Sequence, residues 1–547
     1  MLHTETVNHG STATAPTNPI RTGYTFIGWD IAYGNITGAL TVKAQYSLNT
    51  YTVSFNSQGG STVDDLAVNY DATIAAPTPP TRANYTFDGW YKEAGTVTAW
   101  SFATETMPAN PVTLYAKWKY KTQSASDDVI ESDDDTVQII NIHVNDRLEK
   151  IGVLQITKQN GQDVATITID AKELLQILGD EQNVQITVPT DLDLEKVTLV
   201  LQGPLVQDLA KKNIIIVLET RSGQYKLPLS EIDMDSISKQ LGLDSLESLA
   251  LSIEISKLTA EEQQLAANTL EKGNYTLVGA PVQFSIYIAY GKQKMELTTF
   301  DIYIKRYIAL PDGIDISKIS SAVVIGVDGT MRHVPTKIGY MNGKNFAVIH
   351  SLSNSIYALI WNPVSFVDVE NHWSKDAVNN MASKMIISGT GNGMFEPDKF
   401  ISRAEFAAII VRALGIELEP GSVPFSDVNR TDWYFNYVKA AYEYDIINGY
   451  SDGSFKPTDT ITREQAMSML ARAMKITGLI GQADIQSLEK FTDEGQIAAW
   501  AKNDIATILQ AGIVNGAEAG TLKPKSLITR AEVATMIERL LRKSGVI

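Results

Sequence analysis

The sequence predicts a multidomain chain: strand-built repeats at the N-terminus, a β-rich, sandwich-like middle, and an all-α C-terminal assembly of three repeats. Three observations carry this. A length of 547 residues exceeds a single domain several-fold at roughly 150 residues per domain. An internal repeat aligns without gaps near the N-terminus. Three further units, each with helical periodicity, recur in fixed register at the other end.

Composition narrows the function. Lys plus Arg number 46 against 63 Asp plus Glu, a net charge of −17, so no basic face is expected for phosphate neutralisation and nucleic acid is not an expected partner. Cysteine is absent and the six histidines form no close pair, which leaves disulfides, thiolate sites and zinc chemistry without ligands. No apolar run approaches the roughly 18 residues of a membrane span. Neither a metal nor a cofactor is expected.

In chain order, APTNPIRTGYTFIGWD (15–30) matches APTPPTRANYTFDGWY (76–91), and each is followed by an alternating strand, LTVKAQY (40–46) and VTLYAKW (112–118). The second copy has an additional strand, TYTVSFNSQGG (50–60), closed by Gly59-Gly60. We therefore expect a partial repeat over 1–48 and a whole one over 49–120, with the chain beginning partway through a repeat. The opening MLHTETVNHG has neither the basic nor the apolar segment of a secretory signal. Trp29 and Trp90 are assigned to filling the core, because so small a module needs every large side chain it has.

The pattern Y-T-V-x-F-N…GG…P-x-R-x-x-Y-x-F-x-G-W-Y…LYAKW over 50–119 resembles the Listeria–Bacteroides surface repeat, related to the B-repeat of internalin-type proteins. The resemblance implies β-grasp-like modules acting as spacer or adhesive stalk.

Residues 121–136, KTQSASDDVIESDDDT, read as an acidic linker. From 137 to 363, β-branched runs such as VQIINIHV (137–144), VTLVLQG (197–203) and PVQFSIYIAY (281–290) alternate with turn residues, and predict one or two β-sandwich domains of unknown function. No nucleophile-elbow, P-loop or dinucleotide motif occurs in this stretch. A carboxylate pair such as Asp312 and Asp315 is weak support for glycosidase chemistry, since acidic residues are abundant throughout.

The last third divides into units over 364–420, 421–482 and 483–547. Each opens on FVDVENHW, FSDVNRTDW or FTDEGQIAAW, continues through GTGNGMFEP, GYSDGSFKP or GAEAGTLKP, and closes on ISRAEF, ITREQA or ITRAEV. Sixteen residues separate Trp373, Trp433 and Trp500 from Gly389, Gly449 and Gly516; fourteen more lead to Arg403, Arg463 and Arg530. Apolar stripes follow each Trp and each Arg, with a capping box at the second helix: Ser402 with Glu405, Thr462 with Gln465, Thr529 with Glu532. Each unit reads as helix, glycine loop, helix.

An arginine at the first helical position opposes the macrodipole by ~0.3–1 kcal/mol. Its threefold recurrence asks for a nearby anion, held also by the free N–H groups of the helix start. The alternative is a structural pairing with Asp368, Asp427 or Asp493 of the same unit. A second recurrent arginine, at 412, 472 and 539, faces the other way and is expected in inter-unit salt bridges.

This F-x-D…W…G-x-x-x-G-x-F-x-P…T-R-x-E pattern resembles the S-layer homology (SLH) family. The resemblance implies a three-pronged, pseudo-threefold assembly whose grooves bind secondary cell-wall polysaccharide, commonly pyruvylated, on an extracellular bacterial cell wall or S-layer. Carried over by position, the polysaccharide-binding residues are Asp368, Trp373, Gly389 and Arg403; Asp427, Trp433, Gly449 and Arg463; and Asp493, Trp500, Gly516 and Arg530. The glycines are also read as sources of positive φ, and the tryptophans equally as core anchors. Gln465 stands for the usual Glu, Ser402 for Thr, Leu522 for Phe, and Ala517 where Tyr450 sits. A non-catalytic surface protein, with lattice self-association left open, is the expected function. The alternative is a piece of a wall-anchored polysaccharide-degrading enzyme, its catalytic domain upstream of Met1 or within 137–363.

Overall fold

The computed structural model describes residues 3–82, 85–93, 98–120, 136–145, 147–159, 162–291, 293–311, 313–341, 344–517 and 520–547. Residues 121–135 of the acidic linker, and Asp312, lie outside them. The chain divides into two compact units, residues 1–132 and 133–547.

In the first unit, residues 50–118 build a four-stranded sheet ordered Leu66–Asn69, Thr50–Asn56, Val112–Tyr120, Tyr85–Tyr91, the central two strands parallel. Alternation places Val53, Phe55, Leu114 and Ala116 inward around Trp90, which is buried as expected. No helix crosses this sheet among the described residues, so the β-grasp-like expectation is corrected to a small mixed sheet. Among the described residues, the first copy pairs Tyr24–Trp29 with Ala44–Leu48 as an antiparallel hairpin.

The sandwich expectation for 137–363 is also corrected. Sixteen strands form one sheet, not two facing layers. Its strands are antiparallel except where Gln185–Pro189 lies beside Ile215–Glu219, and Lys196–Gln202 beside Gln162–Ile169. The outermost strands, Met331–Val334 and Thr336–Met341, are joined through Pro335 alone. The sheet therefore curls back on itself. Its seam is stitched by Ala322 N donating to Thr336 Oγ1 (2.9 Å) and His350 N donating to the Pro335 carbonyl (2.9 Å). Alternation shows that a strand buries a face; it does not show whether that face meets a second layer or the far wall of the same sheet.

The helices here are α1 (Ala171–Leu178), α2 (Gly203–Lys211), α3 (Met234–Gln240) and α4 (Ala260–Lys272). Leu174, Leu178, Leu205 and Leu209 of α1 and α2 join the main core. Ala266 and Leu270 of α4 cover Val323, Ile325, Ala358 and Ile360 from outside. That second cover explains the unbroken apolar run of residues 322–325 in the strand Ser321–Ile325, every residue of which is buried. Inside, Arg306 is fully buried and pairs with no carboxylate among the described residues; its guanidinium donates to Asn354 Oδ1 (2.6 Å), Tyr225 Oη (3.1 Å) and the Ile304 and Ser351 carbonyls. Asp315 merely caps a short turn, accepting from Ser317 N and Oγ.

The C-terminal third carries α5 (Lys375–Ser383), α6 (Arg403–Leu414), α7 (Phe435–Glu443), α8 (Arg463–Thr477), α9 (Lys502–Gln510) and α10 (Arg530–Lys543). Helices pair across units: α6 with α7, α8 with α9, and α10 back to α5. The all-α expectation is corrected at the centre of this arrangement. Ile401 N donates to Ile528 O, Ile528 N to Ile461 O, and Ile461 N to Ile401 O, a closed ring of backbone bonds, flanked by β-bridges Phe400–Thr529, Ser402–Thr460 and Thr462–Leu527. The three units therefore close cyclically around extended chain. The first unit also docks on the sheet, through Tyr303 Oη donating to the Leu414 carbonyl (2.8 Å) and Arg332 pairing with Glu417 (3.0 Å).

Candidate binding grooves between the units

Each expected site residue has a definite place. Asp368 accepts from the backbone N–H of Phe395 and Glu396, Asp427 from Phe455 and Lys456, and Asp493 from Leu522 and Lys523, all within 3.0 Å. The aspartates hold the glycine-rich loops of their own units, and none forms a salt bridge with its own unit's arginine among the described residues.

The glycines give room, not positive φ. A Cβ on Gly389, Gly449 or Gly516 would lie 2.6, 2.5 or 2.7 Å from the ring of Phe366, Phe425 or Phe491. Positive φ falls instead four residues on, at Gly393, Gly453 and Gly520. The tryptophans are not core anchors: Trp373, Trp433 and Trp500 are 65%, 58% and 55% exposed, offering flat apolar faces to solvent.

The arginines leave their own units. Arg403 Nε donates to Phe455 O (2.9 Å) in the second unit, Arg463 Nε to Leu522 O (3.0 Å) in the third, and Arg530 Nε to Phe395 O (2.9 Å) in the first. The residues grouped by unit in the sequence are thus regrouped: Arg403 with the loop of Asp427 and Gly449, Arg463 with that of Asp493 and Gly516, Arg530 with that of Asp368 and Gly389. Linear spacing is blind to this cyclic offset.

The free helix N–H groups are also accounted for. Arg403 N and Ala404 N donate to the Asp459 and Pro457 carbonyls, Arg463 N and Glu464 N to Ser526 and Pro524, and Arg530 N and Ala531 N to Lys399 and Pro397. The helix starts are spent on the neighbouring unit, so the expectation that they also hold an anion is corrected. Of the second arginines, Arg472 reaches across to Asp504 (3.8 Å), whereas Arg412 donates to Ile386 O and covers the Tyr437 ring.

What remains open differs among the three guanidinium groups. Arg463 Nη1 meets Glu532 Oε1 at 2.5 Å, and Arg530 Nη1 lies 3.8 Å from Glu405 Oε1 while its Nη2 donates to Ser388 O (2.7 Å). Both carboxylates belong to the capping box of the neighbouring helix, whose other oxygen accepts from the cap N–H. In the corresponding place for Arg403 stands Gln465. Its Oε1 accepts from Thr462 N (3.2 Å), and its Nε2, a donor, turns to Tyr450 Oη (3.1 Å). An amide N–H₂ cannot accept from a guanidinium.

Arg403 is consequently the one of the three with no carboxylate within ion-pair distance among the described residues. Its guanidinium lies 5.0 Å from the Tyr450 ring centre and 4.8 Å from that of Phe455. Burial lowers its pKa, with Tyr450, Asp459 and Asp427 opposing; its terminal nitrogens make no hydrogen bond among the described residues and are not sealed from solvent. Tyr450 and Gln465 are the site residues that sequence reasoning did not select, although both stood out as differences from the other units.

Comparisons with known proteins agree with this architecture. Residues 365–407, 424–467 and 490–534 match the S-layer homology domain, and residues 2–47 and 51–117 the Listeria-Bacteroides repeat domain. The chain is that of a surface-anchored protein, carrying three S-layer homology domains and two such repeats. It is 40% identical over 183 residues to "Exoglucanase XynX" of Acetivibrio thermocellus, covering 33% of this chain and 17% of that protein. It is 40% identical over 192 residues to "Amylopullulanase" of Thermoanaerobacterium thermosulfurigenes, covering 35% and 10%. It is 34% identical over 172 residues to "Surface-layer 125 kDa protein" of Lysinibacillus sphaericus, covering 31% and 14%. The chain thus spans under a fifth of the length of each of these relatives. Among the described residues no helix is long and apolar enough to cross a membrane, and no group of three or more His, Asp or Glu could hold a metal.

Proposed function

We propose that this is a non-catalytic protein of the bacterial cell wall or S-layer, held there by acidic secondary cell-wall polysaccharide bound between its first two C-terminal units. One observation carries the reading: Arg403, largely buried and lacking a carboxylate, presents a positive charge beside Tyr450 that an anionic sugar would complete. A carboxylate such as a pyruvate ketal matches the planar fork. Trp433, exposed in the same unit as Tyr450, would add a stacking face. The grooves of Arg463 and Arg530, already supplied with Glu532 and Glu405, would contribute weaker contacts that reinforce one another along a polymer.

The test is co-sedimentation of the chain with purified walls, before and after mild-acid removal of ketals. Binding should fall ten- to a hundredfold on stripping, and similarly for Arg403→Ala, as loss of a charge-assisted hydrogen bond of ~1.5–3 kcal/mol requires. Unchanged binding after stripping removes the anion from the proposal. Two of the three relatives named above bear the names of polysaccharide-acting enzymes, but the similarity spans 17% and 10% of them; hydrolysis of polysaccharide by this chain would replace the non-catalytic reading.

A further inference from the structure

The three C-terminal units repeat one sequence pattern, but they do not stand equally on the sixteen-stranded sheet. Helix α6 of the first unit packs beside Met331–Val334, and α8 of the second beside Thr299–Ala309. Among the described residues, α9 and α10 of the third unit make no comparable packing with any strand. Tyr303 and Leu352, both strand residues, join the apolar core of the helical units.

The polar contacts fall on helix C-terminal ends, where backbone carbonyls lack intrahelical partners and the dipole is negative. At the end of α6, Tyr303 Oη donates to the Leu414 carbonyl (2.8 Å), and Arg332 pairs with Glu417 (3.0 Å). Gly415 caps this helix at φ +65°, so close to the strand that an added Cβ would lie 2.9 Å from the His333 carbonyl. At the end of α5, Asn362 Nδ2 donates to the Ser383 carbonyl (3.0 Å) and Lys384 Nζ to the Ser320 carbonyl (2.5 Å). The first unit is therefore fastened to the sheet at both of its helices.

Both walls of one groove stand on helices that the sheet supports. Helix α6 begins with Arg403, and α8 carries in its first turn Gln465, whose amide reaches Tyr450. The 12 residues of α6 carry the constraint from Leu414 to Arg403, a distance of about 18 Å at the helical rise. Each of the other two grooves has one wall from the third unit, which lacks this support.

We propose that the middle sheet is a positioning platform for the Arg403 groove, with Tyr303 and Arg332 as its positioning residues. By holding the far end of α6, they keep the first two units at the separation where Arg403 and Tyr450 face one ligand. The ordering of that groove is then complete on folding and costs nothing on binding. This inference rests on the anionic-ligand reading of the groove and adds that the sheet favours it over the other two.

The experiment compares the full chain with the double variant Tyr303→Phe, Glu417→Gln, which removes a hydroxyl and a charge with little change of volume. Arg403→Ala and the triple variant complete the set. Amide hydrogen exchange reads two interfaces separately, because the N–H groups of Arg403 and Ala404 bond to the second unit and those of Arg463 and Glu464 to the third. The double variant should speed exchange at 403–404 at least threefold and leave 463–464 unchanged; Glu417→Gln alone should give the same pattern at lower amplitude. Co-sedimentation with purified walls, ketals intact, should show three- to tenfold weaker binding by the double variant, and no further loss when its changes are added to Arg403→Ala. Exchange that is unchanged, or raised equally at both interfaces, overturns the proposal. So does a loss of binding that persists in full in the Arg403→Ala background. Wild-type binding by Arg403→Ala defeats the groove reading and this inference together, whereas a loss with Arg403→Ala and none with the double variant defeats this inference alone.

Discussion

Gln465→Glu is the most informative single change in the grooves, because it alters one atom type at the place where the three units differ. Glu532 shows what a carboxylate does there: one oxygen keeps the cap N–H of Thr529 at 2.9 Å, the other takes Arg463 Nη1 at 2.5 Å. The introduced carboxylate would similarly keep Thr462 N and turn its second oxygen from Tyr450 to Arg403. An incoming anion would then have to displace that carboxylate and meet its repulsion. The contact at stake is a charge-assisted hydrogen bond of ~1.5–3 kcal/mol, which predicts binding to acidic polysaccharide weakened roughly ten- to a hundredfold. Stability should rise by only ~0–1 kcal/mol, since an ion pair near the surface is screened and orders two long side chains. The assay pairs titration calorimetry on purified polysaccharide with thermal unfolding. Retained affinity with raised stability would show that Arg403 meets the new carboxylate without serving the ligand, and would refute the reasoning.

Other expectations are as direct. Gly449→Ala should destabilise by ~1–3 kcal/mol through overpacking against Phe425, read as a lowered urea midpoint; a neutral result would mean the loop shifts freely. Trp433→Ala should leave unfolding within ~0.5 kcal/mol of wild type, as an exposed side chain would, while costing wall binding more than ~1 kcal/mol, fivefold or more. Equal binding would remove the ring from the groove. Burial holds the pKa of His333 near about 3 and that of His350 near about 4, against an ordinary value of 6.5. The unfolded chain takes up these protons and the folded one refuses them, so their contribution is fully present above pH 6.5 and falls as pH drops toward 4 and 3. At up to ~1.4 kcal/mol per pH unit for each, stability should fall by ~2–4 kcal/mol between pH 7 and 5. Denaturant unfolding at the two pH values checks this; a flat profile would place both rings in contact with water.

Much was determined by sequence alone. The gapless match of Trp29 to Trp90 and the fixed spacing from Trp to Gly to Arg identified both repeat types, because periodicity and turn chemistry are local properties written in a few neighbouring residues. The helix starts at Ser402, Thr462 and Thr529 were legible for the same reason. Tertiary structure alone decided who meets whom. Alternation between 137 and 363 fits a sandwich as well as a sheet that curls to a seam at Pro335. Fixed spacing likewise assigns Arg403 to its own unit, whereas the ring of bonds through Ile401, Ile461 and Ile528 hands it to the next. The significance of Gln465 depends on that handover: within its own helix it is an ordinary cap residue, and only across the interface does its missing negative charge leave Arg403 exposed to a ligand. Partner choice across a closed ring is a long-range outcome of packing, and no local pattern encodes its direction.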